Sequence, residues 1–166
     1  MTEDAARKPR VAPAADAADR AWLARLWQDE WDGETMVGGG RTHRLDRLAA
    51  LLAWDGAARA GAATYAVAGD DCELVSINAT PAGRGIGSAL LAAVEAAARA
   101  AGCRRVRLVT TNDNLDALRF YQRRGYRLVA LRPGAVDEAR RLKPAIPAVG
   151  AHGIPLRDEL ELAKAL

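Results

Sequence analysis

The sequence predicts an α/β protein built on a mixed sheet. Two observations carry that expectation. Alternating apolar segments lead into a glycine-rich turn that opens an Ala/Leu-rich helical pattern, and a second strand and helix follow before strand-like alternation returns. The order strands, helix, strand, helix, strand combines hairpins, which pair antiparallel, with helical crossovers, which join parallel neighbours.

In chain order, residues 1–10 are polar and read as a loose N-terminus, and residues 10–13 suit a short first strand. Asp16 or Asp19 can cap a helix running to Trp31, within which Trp22, Leu23, Leu26 and Trp27 recur at helical spacing as a core stripe. Gly38, Gly39 and Gly40 end that region in a flexible turn, and residues 41–47 read as a charged, solvated connection. Residues 48–54 and 60–68 flank the Asp55-Gly56 turn signal as a hairpin, and residues 72–78 add a third strand. The helix opening at Gly87 stops at Gly102, a residue suited to the left-handed position after a helix end. Residues 105–110 alternate as a strand, Asn112 or Asn114 starts the next helix, and Gly125 closes it before a strand over 126–131. Beyond it, residues 133–166 form a Pro/Gly-rich tail. Pro133, Pro144, Pro147 and Pro155 exclude one long helix, while residues 135–142 suffice for two turns. Residues 158–162 alternate with period two and read as a last strand beside 126–131, with a short terminal helix as the competitor.

With 166 residues and no repeat or composition break, residues 1–166 read as a single domain with a sizeable core. The chain is 50% hydrophobic and carries a formal net charge of +3, but its basic residues are nearly all Arg and no run of five like charges occurs. That excludes a basic nucleic-acid tail and leaves an anionic cofactor as a sufficient partner for the positive excess. The mixed-charge N-terminus is no signal peptide, and Glu95 and Arg99 break the longest apolar segment, so the expectation is a cytoplasmic protein without a membrane span. Cys72 and Cys103 read as small core residues. His43 and His152 stand alone, and no metal is expected.

The chemistry centres on residues 78–95. Gly83, Gly85 and Gly87 allow a tight turn whose N–H groups converge on an anion at the positive end of the following helix. The loop lacks the Lys-Ser/Thr of a P-loop and the spacing of a dinucleotide fingerprint. By itself, a tight strand-to-helix turn explains it equally well.

A second stretch adds to it. Asn114, Ala117, Phe120, Tyr121, Gly125 and Tyr126 meet every position of the pattern N-x-x-A-x-x-F/Y-Y-x-x-x-G-F/Y. Together the two stretches resemble the GCN5-related N-acetyltransferase (GNAT) superfamily, over roughly residues 50–132, in the manner of its uncharacterised bacterial members. The resemblance implies a mixed, mostly antiparallel sheet of six to seven strands flanked by helices, and an acetyl-CoA-dependent N-acetyltransferase. Its acceptor is a small-molecule or peptide amine, attacking directly in a ternary complex. A non-catalytic acyl-CoA-binding module is the alternative, and a homodimer is compatible with either.

Carried over residue by residue, the resemblance gives the pyrophosphate to the backbone of Gly83, Arg84, Gly85, Ile86, Gly87 and Ser88, and pantetheine to the strand at Ile77 and Asn78. It gives a cofactor hydrogen bond to Asn114, and the role of general acid toward the leaving thiolate to Tyr121. Glu73, four residues before Ile77, is the candidate base, with a water relay as its rival. One departure stands out: the family's Gln/Arg anchor falls on Ala82, and Arg84 is the residue able to supply the missing charge. The segments 31–47 and 140–159 are the candidates for the acceptor side, with Asp158 or Glu159 placed to attract an ammonium.

Overall fold

The computed structural model describes residues 8–80 and 84–166. The chain runs β1 (Arg10–Pro13), α1 (Ala17–Trp31), β2 (Thr35–Gly38), β3 (Arg41–Arg44), β4 (Ala49–Asp55), β5 (Ala58–Ala68), β6 (Asp71–Ala79) and α2 (Ile86–Ala100). It continues with β7 (Arg105–Thr111), α3 (Leu115–Gln122), β8 (Arg127–Arg132), α4 (Ala135–Leu142) and β9 (Glu159–Ala165). Among the described residues, seven strands form one sheet in the order β1-β4-β5-β6-β7-β9-β8, with only β6 and β7 parallel, and β2 and β3 form a separate hairpin. The final strand does lie beside β8, but it is inserted between β7 and β8 rather than added at the edge.

Each face of the sheet has its own core. On one, α2 and α3 cover Cys72, Leu74, Val106, Leu108 and Leu162 with Leu90, Leu91, Val94 and Tyr121. On the other, α1 lays Leu23 and Trp27 on Leu52, Trp54 and Ala62. Trp27 is completely buried, and withdrawing a large apolar side chain from water stabilises the fold by about 1.5–3 kcal/mol. The helix is set by its ends. Asp16 accepts from the Asp19 amide at 2.8 Å as N-cap, and Asp32, left-handed at φ 56°, stops it. Asp19 also binds Arg59 of β5 and the Ala15 amide, fixing the helix start to the sheet.

Two local features shape the site. Opposite Val75 the β5–β6 register shifts, so Thr64 faces Ser76 while Tyr65 faces Leu74. This bulge inverts the alternation, and Ile77 and Ala79 join the same core face as Cys72 and Leu74. The second feature is that the parallel β6–β7 ladder covers only Asp71↔Arg105 to Leu74↔Leu108, although β6 continues to Ala79 and β7 to Thr111. The two strands therefore part in mid-sheet, just where the bulge lies.

Candidate active site

Where β6 and β7 part, a cleft of about 630 Å³ opens through the sheet. Ile77, Thr110, Asn114 and Tyr121 line it toward α2 and α3, and Met36, His43, Glu73, Ser76, Lys143, Ile146 and Glu159 line it toward the hairpin and tail. Among the described residues, the alternate backbone groups of residues 75–79 that face β7 have no strand partner, and the buried Asn78 Oδ1 is also unpaired. An extended arm carrying amides fits such an edge as an added half-strand.

At one end of the cleft stands the glycine turn. Gly85 occupies the N-cap position of α2 at φ 74°, where an L side chain is strained, and among the described residues no side chain caps the helix start. The first-turn amides are thus left for an anion. A Cβ on Gly87 would meet the Phe120 ring at 3.4 Å, so this glycine lies where α2 packs on α3 and a larger side chain would crowd that ring. Arg84 is paired with Asp55 at 2.5 Å on the surface. Arg124 lies over the Phe120 ring and donates to Ser88 Oγ at 2.6 Å, which brings a guanidinium to the start of α2. The expectations for Gly83 and for the anchor position at Ala82 lie outside the described residues.

Asn114 caps α3 by accepting from the Ala117 amide at 3.1 Å, while its Nδ2 makes no hydrogen bond among the described residues and the residue borders the cleft. Tyr121 is buried edge-on to Phe120 and Tyr126. Burial pushes its phenol upward, and its hydroxyl makes no hydrogen bond among the described residues. Cys72 is a buried thiol pushed up to about 12 by burial, with Cys103 and Glu73 adding to it, so it is a core residue and no nucleophile.

Glu73, on the opposite face from Cys72 and Leu74, is the centre of an ion cluster. Its Oε2 accepts from Arg107 at 3.0 Å and lies 3.6 Å from Arg41, and its Oε1 lies 3.3 Å from His43 Nε2. Burial pushes its carboxyl up, but the His43 contact and the Arg107, His43 and Arg41 charges outweigh burial and hold it below the ordinary value. Two expectations are corrected here. Residues 41–44 are a strand rather than a solvated connection, and His43 is not isolated, because alternation along β3 turns Arg41 and His43 to one side, toward Glu73.

The tail also divides differently. Glu159 borders the cleft and accepts from the Gly39 amide at 3.0 Å, whereas Asp158 accepts from the Gly134 amide at 2.8 Å and so holds the start of α4. Lys143 joins the two acceptor-side segments by donating to the Trp31 and Thr35 carbonyls. Arg140 and Arg157 do not border the cleft. His43, Arg107 and Arg124 escaped the sequence reading. The signal for Arg107 was present as paired charges, since Asp71 and Glu73 face Arg105 and Arg107 in parallel register.

A seven-stranded mixed sheet split between two parallel strands, with a glycine turn at the split, defines the acetyltransferase class of α/β fold. The chain belongs to the acetyltransferase (GNAT) family, whose model matches residues 3–126. It is 41% identical over 145 residues to the uncharacterised protein YdhI of Bacillus subtilis (strain 168), covering 87% of this chain and 91% of that protein. Its fold is similar to a Bacillus subtilis acetyltransferase solved in complex with CoA, with a TM-score of 0.71 at 21% identity, covering 96% of this chain and 99% of that one. A family member from Elizabethkingia anophelis with acetyl-CoA bound gives a TM-score of 0.72 at 18% identity, over 96% of this chain and 99% of that one.

Proposed function

We propose that this protein transfers an acetyl group from acetyl-CoA to a primary amine, by direct attack in a ternary complex and without a covalent enzyme intermediate. The observation that carries the reading is the parting of β6 and β7 beyond Leu74 and Leu108, with the uncapped start of α2 at one end and Tyr121 inside. The donor's pyrophosphate is assigned to the loop backbone at Gly83, Arg84, Gly85, Ile86, Gly87 and Ser88. Its pantetheine arm is assigned to the unpaired edge at Ile77 and Asn78, with Asn114 Nδ2 donating to it.

A backbone N–H of this edge faces the carbonyl oxygen, where negative charge develops during attack. Tyr121 keeps its proton over the working pH range and gives it to the departing sulfur. Glu73 is the carboxylate of the group that activates the amine on the acceptor side of the cleft. Segments 31–47 and 140–159 frame the acceptor, a small molecule or a peptide terminus. No helix among the described residues is long and apolar enough to cross a membrane, in keeping with a cytoplasmic setting for this reading.

Calorimetry with acetyl-CoA, followed by thiol release over a panel of amines, amino acids and peptides, tests the proposal. Micromolar binding with thiol release on one amine class is the expected result. Binding without release on any amine would instead support an acyl-CoA-binding module, and absence of binding would overturn both.

A further inference from the structure

We infer that His43 is the general base that takes the proton from the acceptor amine, with Glu73 as the residue that positions it. The inference rests on the acetyl-transfer reading and concerns how the amine is made nucleophilic.

The lone pairs of the Glu73 carboxylate are largely occupied. Glu73 Oε2 is taken by Arg107 at 3.0 Å and flanked by Arg41 at 3.6 Å, and Oε1 is turned to His43 Nε2 at 3.3 Å. A carboxylate held by three cationic or donor groups gains little by accepting another proton. Nε2 is the ring nitrogen turned to the carboxylate, so a neutral imidazole with its hydrogen on Nε2 keeps its basic lone pair on Nδ1. The carboxylate also holds the ring in one orientation, as the buried carboxylate of a catalytic triad does. His43 lines the same cleft as Tyr121 and makes no other side-chain contact to a charged group among the described residues. The charged groups facing it are Glu73 on β6, with Arg107 of β7 and Arg41 of β3 behind it. Glu159 of β9 and Lys143 border the same cleft.

In the step itself the amine nitrogen forms the bond to the thioester carbonyl carbon and the carbon–sulfur bond breaks, its electron pair leaving on sulfur. The proton lost by nitrogen goes to His43 Nδ1, and sulfur receives one from Tyr121. Exchange with water resets both residues, so amine and acetyl-CoA become amide and CoA thiol.

The test compares His43→Gln with Glu73→Gln, using the best amine of the panel and reading kcat/KM against pH, acetyl-CoA affinity by calorimetry, and melting temperature. His43→Gln is expected to lower kcat/KM for the amine about 10²- to 10⁴-fold at neutral pH, the usual size of a proton-transfer contribution. The loss should narrow as pH rises and free amine accumulates, while acetyl-CoA affinity is unchanged. Glu73→Gln should cost less, because an amide still orients the ring. Should His43→Gln melt early, His43→Ala regaining rate in added imidazole supplies the same evidence. If His43→Gln matches the parent while Glu73→Gln removes the activity, Glu73 is the base and the inference fails alone. If the parent acetylates no amine, the functional proposal fails with it.

Discussion

Glu159 Oε2 accepts a hydrogen bond from the Gly39 amide at 3.0 Å, joining the tip of the β2–β3 hairpin to the last strand of the sheet. Burial raises the Glu159 carboxyl above its ordinary value, with the Gly39 bond and Arg132 opposing that shift only in part. A raised carboxyl is easiest to bury when protonated. Its stability contribution is full below the ordinary carboxylate pKa and is lost as pH rises through the raised value. Glu159→Gln keeps an acceptor for Gly39 and does not titrate. It should melt no lower than the parent at pH 8, and lose that relative advantage at pH 4 in thermal scans. If Glu159 draws the ammonium of the acceptor, the same variant raises KM for the amine about tenfold, equal to roughly 1.4 kcal/mol, and leaves KM for acetyl-CoA alone. An unchanged amine KM would make Glu159 only a hairpin anchor.

Tyr121→Phe is the cleanest probe of the acid. The ring packing with Phe120 and Tyr126 is retained, and the hydroxyl has no protein partner among the described residues to lose. The expected outcome is kcat lower by about 10²- to 10⁴-fold with melting temperature and CoA affinity unchanged. A loss smaller than about tenfold would mean that the thiolate leaves without help from this phenol.

What the sequence revealed and what it hid follow from the range of each signal. The glycine turn, the caps at Asp16 and Asn114, and the β4–β5 hairpin are local, and each lies within a residue or two of its expected place. The ion cluster is not local. Arg41, Glu73 and Arg107 come from three strands, and nothing between residues 41 and 47 states that they will pair with β6. The parting of β6 and β7 is hidden for another reason. It depends on a bulge at Val75, a residue with strong strand preference that gives no sign of irregularity. Asp158 and Glu159 were indistinguishable by composition. Period two separates them, sending one to Gly134 and the other to the cleft.

Gly85→Val tests the anion loop. At φ 74° a β-branched residue is disfavoured, though none of the described residues crowds the side chain itself. The strain, about 1–2 kcal/mol, should be relieved by turning the amides away from their common target. CoA affinity measured by calorimetry should fall at least tenfold in a variant that remains folded. Gly87→Val is the poorer choice, since its side chain would strike Phe120 before any ligand. A folded Gly85→Val that binds CoA as tightly as the parent would remove the loop from the site.

The last prediction concerns the tail, which two adjacent residues hold against the sheet. Asn112 donates through its amide N–H to the Asp158 carbonyl and through Nδ2 to the Pro155 carbonyl, while its Oδ1 accepts from the Arg157 and Asp158 amides. Asp113 accepts from the Thr111 hydroxyl and, at 2.8 Å, from the Ala151 amide, and its carboxylate leaves no room for a side chain at Gly150. These residues directly precede Asn114, so the strand end that positions α3 also fixes the wall formed by Ala145, Ile146, Pro147 and Leu156. Asn112→Ala removes the side-chain half of the clamp at a cost of about 1–3 kcal/mol. Hydrogen exchange should quicken at Arg157 and Asp158, whose amides donate to the Asn112 side chain. KM for the amine should rise, and CoA affinity should hold, because the β6 edge and the start of α2 are untouched. Faster exchange with an unaltered amine KM would show that the tail closes the fold without shaping the acceptor side.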